Sequence, residues 1–411
     1  MALPQAYDFT IPEETARVAH EAFPNGNLYM TMRDELGPLF SDTDFVTLFS
    51  LQGQTGTSPA MLAMVTIMQY MEGLTDRQAA DAVRGRIDWK YVLGLPLTAS
   101  GFHYSILSPF RDRLLAGGQE ALLLDRILER LTERGLLTDK RQQRTDSTHV
   151  LAAVRTLNRL ECVGETLRRV LDDLARVAPE WLLGHISPEW FERYGQRFEA
   201  YRLPKEKTKR AALQQQIGQD GAQLFAALHS AEAPAWLREL PAVEVLRQVW
   251  LQQYYTEARH IRWRTEQELP PHKYLIVSPD DVDARNRTKR ATNWTGYAVH
   301  LTETCSQATP NIITHVETTP ATTTDDAMVE TIHQALAAKD LLPEEHLVDA
   351  GYTAVDNLRD AKQQYHVDLV GPVGGGRSWQ ANGGKGFDVS CFVIDWDNQV
   401  VTCPQGHQSQ S

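Results

Sequence analysis

Two aspartates stand where an extended or apolar run gives way to something else, and such acids are candidates for chemistry. Asp146 is at the centre of Arg141-Gln-Gln-Arg-Thr-Asp-Ser-Thr-His-Val-Leu-Ala-Ala-Val154, the one stretch of its half of the chain with extended character between long helical patterns. Asp349 follows the short apolar run His346-Leu-Val348 and precedes the turn residues Ala350-Gly351. Carboxylates are hard oxygen donors, and a pair at the ends of neighbouring strands suits Mg²⁺ or Mn²⁺. Two such ions roughly 3.5–4 Å apart clamp the attacking and leaving oxygens of an in-line phosphoryl displacement. A third acid normally completes the pair of sites. Each aspartate fits a cap or turn role as well, Asp349 above all because Ala-Gly follows it.

Other candidates surround this pair in the sequence. Arg285, Arg287, Lys289 and Arg290 fall within six residues and could neutralise phosphates, or form a solvated loop. Arg259, His260, Arg262 and Arg264 make a second basic group, expected at the end of a helical block and given less weight. Trp294 and Tyr297 could stack on a displaced base, although aromatics on a hairpin more often pack in the core. His149 is read as a packing or hydrogen-bonded residue. Cys403 and His407 have a spacing that suits two zinc ligands, but they are half a site with no second pair.

The elements that must position these groups follow from caps and periodicity. Residues 1–28 read as a lead-in with at most one short helix. Ser58-Pro59 opens a helix buried nearly all round that ends at Gly73, Thr75 and Gln78 form a capping box, and Gly94 closes a short helix from Ile87. Ser108-Pro109 repeats the cap-plus-proline signal, and Leu122, Leu123, Ile127 and Leu131 give an amphipathic helix. Residues 29–138 are therefore expected to be all-helical. From 139 to 411 the pattern is mixed α/β, interrupted by a helical insertion at 156–267. Tyr274–Val277, Trp294–Thr302, Asn311–Thr319, His346–Val348, Val367–Val370 and a segment near Phe392 read as strands. Helices are expected from about Asp326, capped by Thr324-Asp325, and from about Ala354, with a glycine-rich mobile loop at 374–384.

Composition narrows the classes. A chain of 411 residues with 42% hydrophobic and 23% charged residues has room for two or three folded domains. The net charge of −12 argues against a protein that coats nucleic acid non-specifically, while leaving room for a local basic groove. Four scattered cysteines without a C-x-x-C pair suit a reducing compartment. The absence of a long apolar run and of a basic-plus-apolar start suggests a cytoplasmic protein without a membrane span.

Four ordered segments carry a family resemblance: Thr145-Asp-Ser-Thr148, Trp294-Thr-Gly-Tyr-Ala-Val-His300, Thr314-His-Val-Glu-Thr-Thr-Pro320 and His346-Leu-Val-Asp-Ala-Gly-Tyr352. Together, behind a helical domain, they resemble the DDE transposases of bacterial insertion sequences, in the group with a long insertion between the first two acids. The resemblance implies an RNase H-like core with Asp146 as first and Asp349 as second catalytic and metal-binding acid. It implies Mg²⁺ or Mn²⁺ as cofactor and double-stranded DNA as partner, both the terminal inverted repeats and the target. A homodimer on DNA and a nucleoid-associated location in a bacterial cytoplasm follow from the same resemblance. The third acid of such enzymes is a glutamate in a Tyr-x-x-Arg-x-x-x-Glu-like setting, and no match to it is found before Ser411. The expectation is thus a C-terminally truncated member. The function the resemblance implies is that of a transposase that binds the element ends and catalyses metal-dependent strand cleavage and transfer, if need be completed by a separate reading frame. The alternative is a catalytically defective member that only binds DNA or regulates the intact enzyme.

Overall fold

The computed structural model describes residues 7–50, 56–138, 140–155, 157–289, 292–306, 309–372 and 391–409. Arg290 and the glycine-rich 374–384 stretch lie outside them. The chain divides into two compact units, one of Met1–Gln143, Glu303–Thr314 and Ala335–Glu344, the other of Arg144–Thr302, His315–Gln334 and Glu345–Ser411.

The first unit is built on helices α1 (Glu13–Ala22), α2 (Leu28–Leu36), α3 (Pro59–Glu72), α4 (Asp76–Gly85), α5 (Ile87–Leu93), α6 (Leu107–Ala116) and α7 (Leu122–Glu133). Local signals set their ends. The Ser58 hydroxyl accepts from the Met61 N–H with proline at the first turn, and Gly73 ends α3 in the left-handed region at φ 64°. Thr75 and Gln78 cap α4 reciprocally. α3 is the hub, burying Met61, Met64 and Met68 among Phe45, Trp89 and Phe110. A buried Asp42 accepts from the Ser58 hydroxyl at 2.6 Å and the Ala60 N–H at 3.0 Å, pinning the start of α3. α1 packs on α5 through Ala19 and Tyr91. The expected cap at Ser108 is not formed. α6 instead grows out of a 3₁₀ turn at Tyr104–Ile106 and begins at Leu107 with no side-chain cap.

The second unit is mixed α/β. After strand β1 (Gln142–Leu151) come α8 (Arg159–Val177), α9 (Pro179–Leu183), α10 (Pro188–Tyr194), α11 (Lys207–Leu228) and α12 (Pro241–Gln253), then a hairpin of β2 (Tyr254–Glu257) and β3 (His260–Trp263). Their shared core runs from Leu160 and Leu167 through Ile217 and Leu224 to Leu246 and Trp250. The expected strand at Tyr274–Val277 is absent. Ile276 is buried in that helical core, its N–H donating to the Gln252 side chain at 2.9 Å, so the apolar run packs against helices instead of pairing in a sheet. The basic group at Arg259–Arg264 is likewise on the β2–β3 hairpin, turned by Ala258 and Arg259 at positive φ, and not at a helix end.

The remaining elements are β4 (Arg285–Lys289), β5 (Thr292–Thr304), β6 (Ile313–Pro320), α13 (Val329–Ala338), β7 (Glu345–Val348), α14 (Val355–Tyr365), β8 (Asp368–Val370), β9 (Val393–Asp395) and β10 (Val400–Thr402). They give a mixed sheet in the order β4-β5-β1-β7-β8, with β6 also on β5. β4 runs antiparallel to β5, and β7 runs parallel to β8. β9 and β10 form a separate hairpin. α13 lies between β6 and β7 in the chain, and α14 between β7 and β8. Among the described residues no helix is long and apolar enough to cross a membrane.

A polar chain threads the sheet's buried side. The Thr145 hydroxyl lies 2.6 Å from that of Thr302 and 2.7 Å from His346 Nε2, and His346 Nδ1 lies 2.9 Å from His333 Nε2. Burial pushes His333 down to about 4, and burial with the neighbouring His333 pushes His346 down to about 3. Both rings are neutral when folded and titrate near 6.5 when unfolded, so unfolding takes up protons between these values. The stability they contribute is complete above about pH 6.5 and is lost as pH falls towards their folded values. Denaturant midpoints should therefore decline steadily from about pH 6.5 to about 4.5, and less steeply in His333→Gln. A flat profile would contradict this.

Candidate metal and phosphate site

Alternation along β1 positions Asp146. Gln143 and Thr145 point into the core, so Asp146 is exposed on the opposite face of the central strand. β7 buries His346 and Val348 and releases Asp349, also exposed, at its end on the adjacent strand. Each carboxylate is oriented by one backbone donor: the Ser147 N–H reaches Asp146 Oδ1 at 2.8 Å, and the Gly351 N–H reaches Asp349 Oδ1 at 2.7 Å. Neither is ion-paired among the described residues. Both line one cleft of about 380 Å³, together with His149, Arg287, Lys289 and Trp294.

The basic cluster is divided by the fold. Arg285, Arg287 and Lys289 alternate along β4 and so share a face, paired across from Gly296, Trp294 and Thr292. Only Arg287 and Lys289 line the cleft. Arg285 is turned to the carbonyls of Lys273, Val282 and Ala284. Arg287 also ties the β6–α13 connection by donating to the Ala321 and Thr323 carbonyls at 2.8 and 3.0 Å. Trp294 is 8% exposed and donates to the Tyr297 carbonyl, while the Tyr297 hydroxyl donates to Asp281 at 2.6 Å, so both aromatics are packed. The exposed His149 ring lies 5.2 Å from the Trp294 ring.

Beneath the acids lies a buried pair. The Tyr352 hydroxyl is 2.7 Å from His300 Nδ1, both residues fully buried. Burial lowers the His300 pKa against the opposing pull of Asp325 and Asp146. Burial raises that of Tyr352, reinforced by Asp325, Asp146 and Asp349. The phenol therefore stays a hydrogen-bond donor at neutral pH.

Asp325 does not take the place that its sequence neighbours suggest. As part of Thr324-Asp325 it is expected to cap the following helix, yet Thr324 makes no side-chain cap and Asp325 is 6% exposed. Its Oδ2 lies 3.9 Å from Lys289 Nζ. The signal in the sequence is its position where strand β6 passes into helix, the same grammar that singles out Asp349. At the other end of the chain Cys403 and His407 close a turn, with the Cys403 N–H donating to the His407 carbonyl at 2.8 Å. Among the described residues, no three of His, Cys, Asp and Glu enclose a position for one metal ion.

No curated protein and no solved structure matches the chain. Residues 17–113, within the helical part of the first unit, are similar to the family model described as Transposase domain (DUF772).

Proposed function

We propose that the chain is a DDE-type transposase that binds the ends of its element and carries out metal-dependent phosphoryl transfer on DNA, with Asp146 and Asp349 as catalytic acids. The observation that carries this reading is the meeting of those two carboxylates in one cleft with Arg287 and Lys289, despite the 203 positions of sequence between the acids (349 − 146). The strand order β6-β5-β1-β7-β8, with α13 and α14 following β6 and β7, supports an RNase H-like core. The transposase-domain match supports DNA as the partner.

The donor set fits Mg²⁺ or Mn²⁺. Two exposed carboxylates without cationic partners among the described residues offer hard oxygens, and such ions keep several waters and substrate phosphate oxygens in their shell. Bound there, the cation would lower the pKa of a coordinated water and offset charge on the transferring phosphate. The chain's own residues do the rest. Asp146 and Asp349 are held by backbone N–H donors at fixed angles, and Lys289 and Arg287 meet the phosphates. The Tyr352–His300 pair supports the floor beneath the acids.

A second reading, DNA binding without cutting, is favoured by Asp146 and Asp349 being the only acids among the described residues that line the cleft. The two separate in one experiment: the purified full chain with a labelled duplex carrying the flanking element ends, in Mg²⁺, Mn²⁺ or EDTA. Cation-dependent nicking supports the enzyme, and a gel shift without nicking supports the binder. A duplex that is neither bound nor nicked overturns both. In the binding arm, Lys289→Ala should weaken affinity across sequences and reduce the salt slope by about one.

A further inference from the structure

Strand pairing does not by itself position Asp349. β7 ends at Val348 and its pairing with β8 at Leu347, so the carboxylate projects from a turn just past the strand. Asp146, by contrast, lies within β1. Two carboxylates that act on one reacting centre need a fixed separation, and misplacement by about 1 Å can cost about 10²-fold in rate. The turn after β7 therefore needs an anchor outside the ladder.

Tyr352 has the contacts of such an anchor. Its N–H donates to the Asp349 carbonyl at 3.2 Å, closing the turn. Its own carbonyl accepts from the Asn357 side chain at 3.0 Å, in the first turn of α14. The ring is fully buried, and its hydroxyl reaches His300 Nδ1 on β5 at 2.7 Å. Ser147, the residue after Asp146 on β1, stands close enough to oppose the rise that burial gives the phenol's pKa. Stability does not explain the pair. His300 Nε2 is buried with no hydrogen-bond partner among the described residues, a cost that two apolar residues packed in the same space would avoid. What a hydrogen bond adds to packing is direction as well as distance.

We propose that Tyr352 is a positioning residue of the reaction: its hydroxyl, held by His300, fixes the turn after β7 so that Asp349 stands at a working separation from Asp146. This rests on the reading of Asp146 and Asp349 as catalytic acids. Fully buried, Tyr352 acts through Asp349 and not on the DNA.

Nicking of the labelled element-end duplex by the full chain in Mg²⁺ or Mn²⁺ tests this through Tyr352→Phe, His300→Leu and the double substitution. Each single variant leaves one buried polar group without its partner and should melt at a lower temperature, whereas the double variant removes both groups and should recover. If the pair served stability alone, activity would recover with it. On the proposal it does not. Every variant that folds, assayed well below its melting temperature, should show kcat reduced by about 10- to 100-fold, with KM for the duplex within about twofold of wild type. Where the wild type nicks, a wild-type kcat in any folded variant, or failure of all of them to fold, overturns this inference alone. A wild-type chain that nicks no duplex overturns both this inference and the reading beneath it.

Discussion

Asp349→Asn is expected to slow cation-dependent strand cleavage by about 10³-fold or more, the scale on which removal of one group stabilising transition-state charge is felt. The substitution preserves shape and leaves an amide oxygen to accept from the Gly351 N–H, which Asp349 Oδ1 does at 2.7 Å. The side chain is exposed and has no ion pair among the described residues, so stability should change little. What is lost is negative charge at the end of β7. Asp146→Asn should behave alike, and the double variant should be hardly worse than either single one, because groups that act as a unit are not additive. Cleavage rates of the three variants, with circular dichroism to verify folding, check the result. Wild-type rates in folded Asp349→Asn would remove it from the chemistry.

Gly296→Ala should produce the largest loss of stability of any single methyl addition near the site, on the order of 3 kcal/mol or more. Gly296 has φ 151°, which L side chains rarely adopt. An added Cβ would lie 2.1 Å from the Val150 carbonyl oxygen and 2.6 Å from the Ala152 N. Both are backbone atoms at the end of β1, and the neighbouring Thr295 carbonyl accepts from that same Ala152 N–H at 3.0 Å. Side chains can rotate away from an intruding methyl, but paired strands can move apart only by breaking their ladder. Relief would separate β5 from β1, the strand that carries Asp146. Urea unfolding measures the loss; a midpoint within error of wild type would show that the strands can slide at no cost.

Much of the local structure is legible from residue types. Serine, threonine and glutamine at helix starts and glycine at helix ends act over a few residues, so α3, α4 and α5 are readable at Ser58, Thr75, Gly73 and Gly94. Alternation and β-branched residues identify β5 and β6. Short apolar runs are ambiguous for the opposite reason: Leu275 and Ile276 look like a strand, but the helical insertion offers Ile276 a buried surface, and burial, not pairing, decides the conformation. Ser108 has the residue type of a cap, but the preceding 3₁₀ turn already supplies the helix start.

The sequence by itself determined that Asp146 lies on an extended stretch, that Asp349 ends an apolar one, and that a basic run precedes β5, because each is a matter of near neighbours along the chain. Tertiary structure alone decided which of these groups meet. Strand order placed β1 beside β7 and so brought the two aspartates into one cleft; strand pairing carried Arg287 and Lys289 there and left Arg285 on loop carbonyls. It also decided the place of Asp325, an ordinary helix-start acid in one dimension, which becomes a buried carboxylate facing Asp349 across Gly351 when β6, α13 and β7 pack. Distances between residues far apart in sequence depend on how whole elements pack, and no local residue pattern specifies them.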